Sequence, residues 1–528
     1  MTRIDERVST HVYKVKRISK EEMESIAGVC VYDQPPFCNA ACPLKLDVKA
    51  MLKAAAENDF KKAFKIYESI APFPLILSAG CGAPCEEKCR LCELGDGIAI
   101  GDIERAVALS GGAGEKRSIF RVRKKKKAAV FGSGLFALLL AGELGKKGYP
   151  VTAICGEADE EEYLRVAAGF LREDDFYTEL KRLRGKDIAF EFNAEMTREL
   201  FEEKRGGFDV LCASEKAALD IFPGAVRDEG IMLMESEGLL TGGGETVLEA
   251  ALGARKAALT ADRLAQGIDP RSARGEEGPV TSRLYTNPDL ARGLIRIKGC
   301  ESGYTREQAA EEAGRCMQCH CDECLRGCAY LRRFNKHPGL LSREIYNNTQ
   351  IIMGDHPLNR AMNACALCGQ CTVTCPHGFD MAHVCRTARE NMVDTDKMPL
   401  AAHEFALLDM LFSNGEAYLC RKQPGHSHCR YVFFPGCQAA AIAPEAVIAA
   451  YEDLCTRLKG GVALMLGCCG AIAHWAGSGE MYGEVRDKIA AELAALEDPV
   501  IIAGCPSCMK LLSEQDMAET VGIWTVLR

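Results

Sequence analysis

The sequence of 528 residues has no apolar run long enough to cross a lipid bilayer. Such a span needs about 18 or more consecutive apolar residues, and the most apolar stretch, residues 128–141, is shorter and contains two glycines. The first ten residues, MTRIDERVST, lack the apolar core of a secretory signal peptide. A net charge of only −9 gives no electrostatic reason to expect a nucleic-acid partner. We therefore expect a cytoplasmic protein with no membrane span and no nucleic-acid partner.

Cysteine, by contrast, is abundant, with 28 residues. Disulfides are rare in the reducing cytoplasm, so thiols in this number are expected to bind metals or to act in catalysis. The cysteines are also clustered in sequence. Seven lie between Cys30 and Cys92, ten lie in two blocks between Cys316 and Cys385, and eight lie between Cys420 and Cys508.

The first block reads Cys30-x7-Cys38-x3-Cys42-Pro43 and continues, after a helical pattern, with Cys81-x3-Cys85-x3-Cys89. A cubane [4Fe–4S] cluster takes about four ligands, which short-spaced cysteines and one distant residue can supply. The segments CVYDQPPFCNAACP, PFPLILSAGCGAPCEEKC and IAIGDIERA resemble the iron–sulfur domain of the glutamate synthase small subunit and of dihydropyrimidine dehydrogenase.

This resemblance implies two clusters in the first block. One would be held by Cys30, residue 33, Cys38 and Cys89, and the other by Cys42, Cys81, Cys85 and Glu104. The family has a cysteine where this chain has Asp33. Three alternatives follow: Asp33 binds through oxygen, Cys92 replaces it, or the cluster is incomplete. Zinc is a further alternative, although seven thiols over 63 residues fit no common zinc spacing.

A glycine-rich turn, Gly132-Ser-Gly134-Leu-Phe-Ala137, follows a predicted strand and opens a predicted helix. Small residues in this context allow a pyrophosphate to approach a helix N-terminus. The segments LREDDFYTELKRLRGKDIAFEFN, GGFDVLCAS and ETVLEAALGARKAA resemble the flavin domain of the same small subunit. The resemblance implies FAD, bound at Gly132, Gly134 and Ala137 with Glu157 near the ribose.

Three departures from that family concern the cofactor. The acidic residue expected at the ribose falls on Cys155, with Glu157 two residues later, and the Gly-Asp pair before the closing helix aligns with Gly238-Leu239. Only about 110 residues separate Gly132 from that pair, without a second glycine-rich strand–turn–helix. The nicotinamide-binding domain is therefore missing, and we expect no direct use of NAD(P)H. Bound FAD and a flavin-free scaffold both remain open.

The two blocks after residue 300 have the spacing of a ferredoxin with two clusters. The runs are Cys316-x2-Cys319-x4-Cys324-x3-Cys328 and Cys365-x2-Cys368-x2-Cys371-x3-Cys375-Pro376. In the bacterial ferredoxin run the fourth cysteine binds the other cluster. The spacing thus predicts one cluster held by Cys316, Cys319, Cys324 and Cys375, and a second held by Cys365, Cys368, Cys371 and Cys328. Cys321 and Cys385 are expected to be small buried side chains.

Three cysteine sets in the last hundred residues each follow a predicted strand, in VFFPGC, ALMLGCCG and VIIAGCPSC. Adjacent cysteines suit a site with several irons, and three such loops can converge at one sheet edge. The pattern resembles the CCG domain of heterodisulfide reductases and related lactate- and glycerol-oxidising subunits. It implies a noncubane [4Fe–4S] cluster with disulfide chemistry, and a zinc site using four of the five thiols is the alternative. The candidate ligands, which also form the candidate catalytic site, are Cys437, Cys468, Cys469, Cys505 and Cys508.

Together these patterns predict an oxidoreductase, or the electron-transfer subunit of one, in a larger anaerobic complex. It would carry four cubane [4Fe–4S] clusters and one more in the CCG domain. One-electron carriers in series need a donor and an acceptor, so we expect redox partners: a flavin- or metal-containing catalytic subunit and a ferredoxin-type donor or acceptor. Two alternatives are a self-contained FAD-dependent iron–sulfur enzyme acting on a small molecule and a zinc-binding scaffold without redox activity.

The predicted fold class is multidomain, combining α/β and α domains. We expect a helical iron–sulfur domain over residues 1–112 and a truncated or degenerate FAD-type Rossmann domain over 128–268. A helical dicluster ferredoxin-like domain is expected over 300–400, and an α/β CCG domain over 430–528.

Overall fold

A computed structural model describes residues 19–110, 123–272, 274–299, 303–515 and 517–528. The chain divides into two compact units. The central unit comprises Asp33–Cys321, and the terminal unit comprises the residues up to Tyr32 together with Asp322–Arg528. Within the described ranges, none of the helices combines the length and the apolar character that a membrane span requires. The four predicted domain ranges remain predictions.

The central unit begins with a helical part. Asp47 and Asp59 cap two of its helices, because their side chains accept hydrogen bonds from the N–H groups of Ala50 and Lys62, each at 3.0 Å. Apolar side chains on one face of each helix then form a common core. The helices are Phe37–Ala41, Val48–Ala56, Phe60–Glu68, Pro74–Gly80, Pro84–Glu87 and Ile100–Ser110, with a 3-10 turn at Arg90–Glu93.

The second part of the central unit is an α/β layer structure around a mixed six-stranded sheet. The strand order is β3-β2-β1-β4-β6-β5, with β5 antiparallel to β6 and all other pairs parallel. The order 3-2-1-4 is that of doubly wound sheets. The strands are β1 Ala128–Phe131, β2 Val151–Ile154, β3 Ile188–Glu191, β4 Val210–Ser214, β5 Leu233–Met234 and β6 Leu239–Gly242. The helices are Leu135–Lys146, Glu160–Ala168, Glu173–Arg184, Arg198–Arg205, Glu215–Ile221 and Val247–Gln266.

The last helix of the central unit, Arg306–Gly314, returns to the helical part. A capping box starts it: the Thr305 hydroxyl accepts from the Gln308 N–H at 3.3 Å, and the Gln308 side chain accepts from the Thr305 N–H at 3.0 Å. The helix packs against Val48–Ala56. It thereby brings Cys316 and Cys319, in the chain that follows, to the first cysteine block.

The terminal unit has a helical part and a second α/β part. The helices of the first part are Lys20–Ala27, Glu323–Gly327, Ala329–Phe334, Pro338–Gln350, Asn359–Ala364, Gln370–Thr374, Met381–Asp394 and Glu404–Asn414. The α/β part has a mixed five-stranded sheet of order β11-β10-β8-β9-β7. Its strands are β7 Leu419–Arg421, β8 Tyr431–Phe434, β9 Val462–Leu466, β10 Val500–Ala503 and β11 Thr520–Gly522. Its helices are Cys437–Ile442, Pro444–Arg457, Ala471–Ala476, Gly479–Ala495, Pro506–Glu514 and Ile523–Leu527.

Candidate metal centres

The first candidate centre in the central unit contains three thiols and one carboxyl group. Cys42 and Cys81 directly follow helices Phe37–Ala41 and Pro74–Gly80, and Cys85 lies in helix Pro84–Glu87. Glu104 projects from helix Ile100–Ser110 with only 3% of its surface exposed. Burial raises the pKa of each thiol, and the charge of Glu104 raises it further. All four ligands that the family resemblance implies for this cluster are therefore close neighbours.

The surroundings of this centre suit a group that offers sulfur acceptors. Burial raises the pKa of Glu104 to about 8, with a contribution from Glu86. The buried Tyr67 hydroxyl interacts with the Glu104 carboxyl and has no other hydrogen-bond partner among the described residues. Burial raises the pKa of Tyr67, and the charges of Glu104 and Cys81 raise it further. The Tyr67 hydroxyl therefore lies near the candidate ligands of this centre. Since buried polar groups are nearly always paired, this hydroxyl is available to donate to a cluster sulfur.

The second candidate centre in the central unit combines cysteines from distant parts of the sequence. Cys38 and Cys89 of the first block meet Cys316 and Cys319, which follow helix Arg306–Gly314, around one cavity. The cavity has about 360 Å³ of empty space, partly open to solvent, and its other walls are mostly apolar. Burial, together with the charges of the other three thiols, raises the pKa of Cys38 above its usual range. Burial also raises the pKa of Cys316 to about 11.

The family resemblance implies different ligands beside Cys38 and Cys89, namely Cys30 together with Asp33 or Cys92. Cys30 belongs to the terminal unit, whereas Asp33 is the first residue of the central unit. Cys92 is exposed and lies beside Cys89, whose charge adds to the effect of burial in raising the pKa of Cys92.

The predicted ferredoxin set of Cys316, Cys319, Cys324 and Cys375 is divided between the two units. Its first two members belong to the central unit and its last two to the terminal unit. The structure therefore brings Cys316 and Cys319 together with two cysteines that the ferredoxin spacing does not indicate.

The remaining ferredoxin-like cysteines of the terminal unit lie on two similar turns. Helices Glu323–Gly327 and Gln370–Thr374 pack against each other. In the first turn the Cys328 N–H donates to the Cys324 carbonyl at 2.9 Å, and in the second the Cys375 N–H donates to the Cys371 carbonyl at 2.9 Å. Cys324 and Cys371 are buried, and Cys368 is exposed. The two turns thus repeat one backbone geometry, as expected of paired cluster loops.

Cys365 of this group has a neighbour that the sequence does not predict as functional. Interaction with the buried Cys385 thiol lowers the pKa of Cys365, assisted by the Leu367 N–H and Arg389. The Leu367 N–H donates to Cys365 Sγ at 3.5 Å, and Tyr330 Oη lies 3.7 Å from Cys385 Sγ. Because the thiolate is the metal-binding form of cysteine, these contacts favour Cys365 as a ligand. Cys385 is buried as predicted, but it contacts a candidate ligand.

The five cysteines of the CCG pattern converge at one edge of the second sheet. They follow strands β8, β9 and β10, which are adjacent and parallel, so their carboxyl ends lie side by side. Interaction with Cys468 and burial raise the pKa of Cys437, and Cys469 interacts with both Cys468 and Cys508. A side chain at Gly436 would lie 3.1 Å from Cys505 Cβ and 3.3 Å from Cys508 Sγ. The predicted convergence of three loops is therefore present.

Three further buried hydroxyl groups resemble that of Tyr67. Each interacts with a candidate cysteine and has no other hydrogen-bond partner within the part of the chain that the structure describes. The pairs are Thr286 with Cys319, Thr372 with Cys371, and Tyr482 with Cys469. Donation to cluster sulfur or thiolate would satisfy these hydroxyls, which makes the four environments fit iron–sulfur groups.

Among the described residues, no group of three or more His, Cys, Asp or Glu side chains is arranged to hold a single metal ion. An iron–sulfur cluster differs from a single ion because four irons and four sulfides lie between its ligands. Thiols with at most one carboxyl group are the donor set that such clusters take.

The glycine-rich turn has the tight geometry that its sequence predicts. Gly132 and Gly134 have φ angles of 84° and 102°. A side chain at Gly132 would lie 2.5 Å from Ser214 Oγ and 2.7 Å from Ala217 Cβ, so only glycine fits there. Ala137 is buried in the helix that follows. The turn therefore leaves backbone N–H groups at a helix N-terminus, where a phosphate can bind.

The end of β2 and the loop after β6 complete this region. Cys155 is buried, and Glu157 Oε2 is a buried oxygen with no hydrogen-bond partner in the described ranges. Gly238 lies just before β6, in the connection from β5, and not before the closing helix. The alignment of the Gly-Asp pair with Gly238-Leu239 is therefore wrong, because residues 243–246 are the ones that join β6 to helix Val247–Gln266.

Comparison with protein families confirms the resemblances. Residues 7–112 match the model of dihydropyrimidine dehydrogenase domain II, 4Fe-4S cluster. Residues 315–380 match a 4Fe-4S dicluster domain, and residues 431–513 match the Cysteine-rich domain, CCG. The chain thus contains regions that match two kinds of [4Fe–4S] domain and a CCG domain.

The relatives are subunits of redox enzymes. The chain is 28% identical over 230 residues to the NADPH-Fe(3+) oxidoreductase subunit beta of Geobacter sulfurreducens, covering 41% of this chain and 33% of that protein. It is 28% identical over 159 residues to the NADP(+)-dependent formate dehydrogenase subunit beta of Moorella thermoacetica, covering 25% and 21%. It is 29% identical over 146 residues to the glutamate synthase [NADPH] small chain of Azospirillum brasilense, covering 26% and 29%. The chain spans a third or less of the length of these relatives.

Proposed function

We propose that this protein is an electron-transfer subunit that passes single electrons through several [4Fe–4S] clusters within a larger redox complex. The observation that carries the proposal is the grouping of buried and half-buried thiols, each group beside a buried hydroxyl that has no hydrogen-bond partner outside that group among the described residues. When bound, the clusters supply one-electron transfer at potentials set by burial and hydrogen bonds to sulfur. The names of the relatives, which are subunits of multi-subunit oxidoreductases, support redox partners.

The residues of the chain have distinct roles in this proposal. The candidate thiols hold the clusters, and apolar side chains around them exclude water. Tyr67, Thr286, Thr372 and Tyr482 donate hydrogen bonds toward sulfur and so raise the reduction potential, because they stabilise the more negative state. Reducing conditions in the cytoplasm, where we place the protein, keep these thiols available.

The CCG centre is the site where two-electron chemistry would occur. Cys437, Cys468, Cys469, Cys505 and Cys508 come from three adjacent strand ends. Reduction of a disulfide there consumes two electrons and two protons and releases two thiols. The ferredoxin-like turns would supply the electrons, because helix Met381–Asp394 packs against helix Ala471–Ala476, next to Cys469, within the same unit.

Anaerobic purification with analysis of iron, sulfide and zinc tests the proposal. We expect about twenty irons per chain at four per cluster, little zinc, and EPR signals after reduction. Cys371→Ala should remove about four irons. Cys212→Ala should remove none, because Cys212 is buried in β4 and its pKa is raised by burial alone. A colourless protein that contains zinc in place of iron would support the scaffold alternative and overturn the proposal.

A second candidate function is a FAD-dependent iron–sulfur oxidoreductase acting on a small molecule. The Gly132 turn favours it, as does the buried Glu157 Oε2 oxygen, which has no hydrogen-bond partner among the described residues. FAD released on denaturation of the wild-type protein would support a flavin site. Gly132→Ala should then abolish the flavin, whereas Gly145→Ala, where a side chain meets nothing within 4 Å, should retain it.

A further inference from the structure

We propose that Cys38, Cys89, Cys316 and Cys319 hold one [4Fe–4S] cluster. The two cysteines that follow helix Arg306–Gly314 would then complete the N-terminal iron–sulfur centre instead of beginning the ferredoxin-like pair. The inference deepens the proposed function and rests on it, because it assigns ligands within a protein that is taken to bind iron.

The geometry of the cavity is the first support. The four cysteines line it together, and its other walls include Leu52 and mostly apolar neighbours. All four side chains belong to or pack against the same core of buried residues. Four thiols that converge on one largely apolar cavity are the arrangement that a cubane cluster requires.

The backbone after the helix is held rigidly in place, which is the second support. Gln318, between the two cysteines, has a φ angle of 50°, so the chain turns sharply there. Its side chain amide donates to the Lys49 carbonyl and to Cys316 Sγ, both at 3.4 Å. Lys49 Nζ donates to the Cys319 carbonyl at 2.9 Å. These contacts pin the Cys316–Cys319 turn to the helix that begins at Val48, beside the first cysteine block.

The hydroxyl of Thr286 is the third support. The residue is 5% exposed, and its buried oxygen interacts with the Cys319 thiol but has no other hydrogen-bond partner among the described residues. A hydroxyl of this kind is costly to bury unless it finds an acceptor. The thiolate or sulfide of a cluster at these cysteines would be that acceptor.

The spacing of the ferredoxin-like cysteines provides the fourth support, because the last three cysteines of the two runs share one spacing that does not include Cys316 or Cys319. The run Cys321-x2-Cys324-x3-Cys328 has the same spacing as Cys368-x2-Cys371-x3-Cys375. The carbonyl-to-N–H distance that closes the last turn is 2.9 Å in both runs. The shared part of the first run therefore begins at Cys321, and the residue that matches Cys365 is Gln318, so Cys316 and Cys319 lie outside the repeat.

The test uses combinations of substitutions in the full chain, purified without oxygen. Cys38→Ala and Cys316→Ala should each remove about four irons and the same EPR signal. Their combination should remove no more than either alone, because both residues serve one cluster. The combination of Cys38→Ala with Cys324→Ala should remove about eight irons, since these residues serve different clusters. The EPR signals of the remaining clusters show that each variant has folded.

The opposite pattern would overturn the inference. If Cys316→Ala and Cys324→Ala together remove only about four irons, while Cys316→Ala and Cys38→Ala remove about eight, Cys316 belongs to the ferredoxin-like pair. Loss of the same signal in Cys92→Ala would also overturn it, because Cys92 would then be a ligand. An iron-free wild-type protein would instead contradict the proposed function itself, so the two failures are distinguishable.

Discussion

Arg389 connects the ferredoxin-like part of the terminal unit to the CCG part, and its loss should destabilise both. The side chain is 1% exposed. Its Nε and Nη2 atoms donate to the Met362 carbonyl at 2.8 and 2.6 Å, Nη2 also donates to the Cys365 carbonyl at 2.5 Å, and Nη1 donates to the Trp475 carbonyl at 2.5 Å. One guanidinium thus links the loop of a candidate ligand to the helix after Cys469.

The expected cost of Arg389→Met follows from these bonds. A buried carbonyl left without its donor costs about 1–3 kcal/mol, which applies fully to Met362. The carbonyls of Cys365 and Trp475 are partly buried and regain part of their bonding from water. The substitution also removes the cost of burying the charged guanidinium, which offsets some of the lost stability. We therefore expect the free energy of unfolding of the terminal unit to fall by about 3 kcal/mol, a factor of about one hundred in the unfolding equilibrium.

Pulse proteolysis of the iron-loaded protein in increasing urea, without oxygen, measures this change. Arg386→Met is the matched control, because Arg386 lies on the same helix and its pair with Glu390, at 3.3 Å, is about one third exposed. Exposed pairs of this type contribute about 0.3–0.5 kcal/mol. If the two variants unfold at the same urea concentration, Arg389 does not hold the two parts together as described.

Three other substitutions test single features. Gly477→Ala should destabilise the terminal unit by about 2 kcal/mol or more, because the φ of Gly477 is 88° and a side chain there would lie 2.6 Å from the Arg389 backbone. Gly479→Ala is the control in the same proteolysis assay, because a side chain at Gly479 would meet nothing within 4 Å. Thr246→Ala should cost the closing helix about 1 kcal/mol in thermal unfolding by circular dichroism, because it removes a capping box. Burial raises the pKa of Glu179, so its contribution to stability is present below the ordinary carboxyl pKa and is lost as pH rises through the raised value. As pH rises through that range, the wild type should therefore lose unfolding free energy relative to Glu179→Gln. A difference between the two proteins that does not depend on pH would contradict the raised pKa of Glu179.

The local parts of this architecture are readable from the sequence because their signals are local. The strand before Gly132, the turn itself and the strand ends before Cys437 and Cys505 follow from apolar runs ended by glycine. The grouping of Cys42 with Glu104 follows from a family resemblance. In each case the residues that matter are identified by their immediate neighbours or by a known pattern.

The partners of Cys316 could not be predicted in this way. Spacing shows which cysteines share a loop, but it does not show which distant loop completes a site. The contact with Cys38 depends on the packing of helix Arg306–Gly314 against Val48–Ala56, a tertiary feature without a signature in either segment. The misplacement of the pair at Gly238 has a similar origin, because a short antiparallel connection resembles the loop before a helix.

Cys38 and Cys316 are 278 positions apart. A cluster bound by both would cross-link the beginning of the central unit to its end. Closing a loop of that length removes about 5–6 kcal/mol of chain entropy from the unfolded state in the simplest polymer treatment. Insertion of this cluster would then follow synthesis of the whole unit, since the cross-link cannot form until the ribosome has passed residue 319. Oxidative loss of the cluster in air would destabilise the entire central unit, and not only the loops that bind the metal.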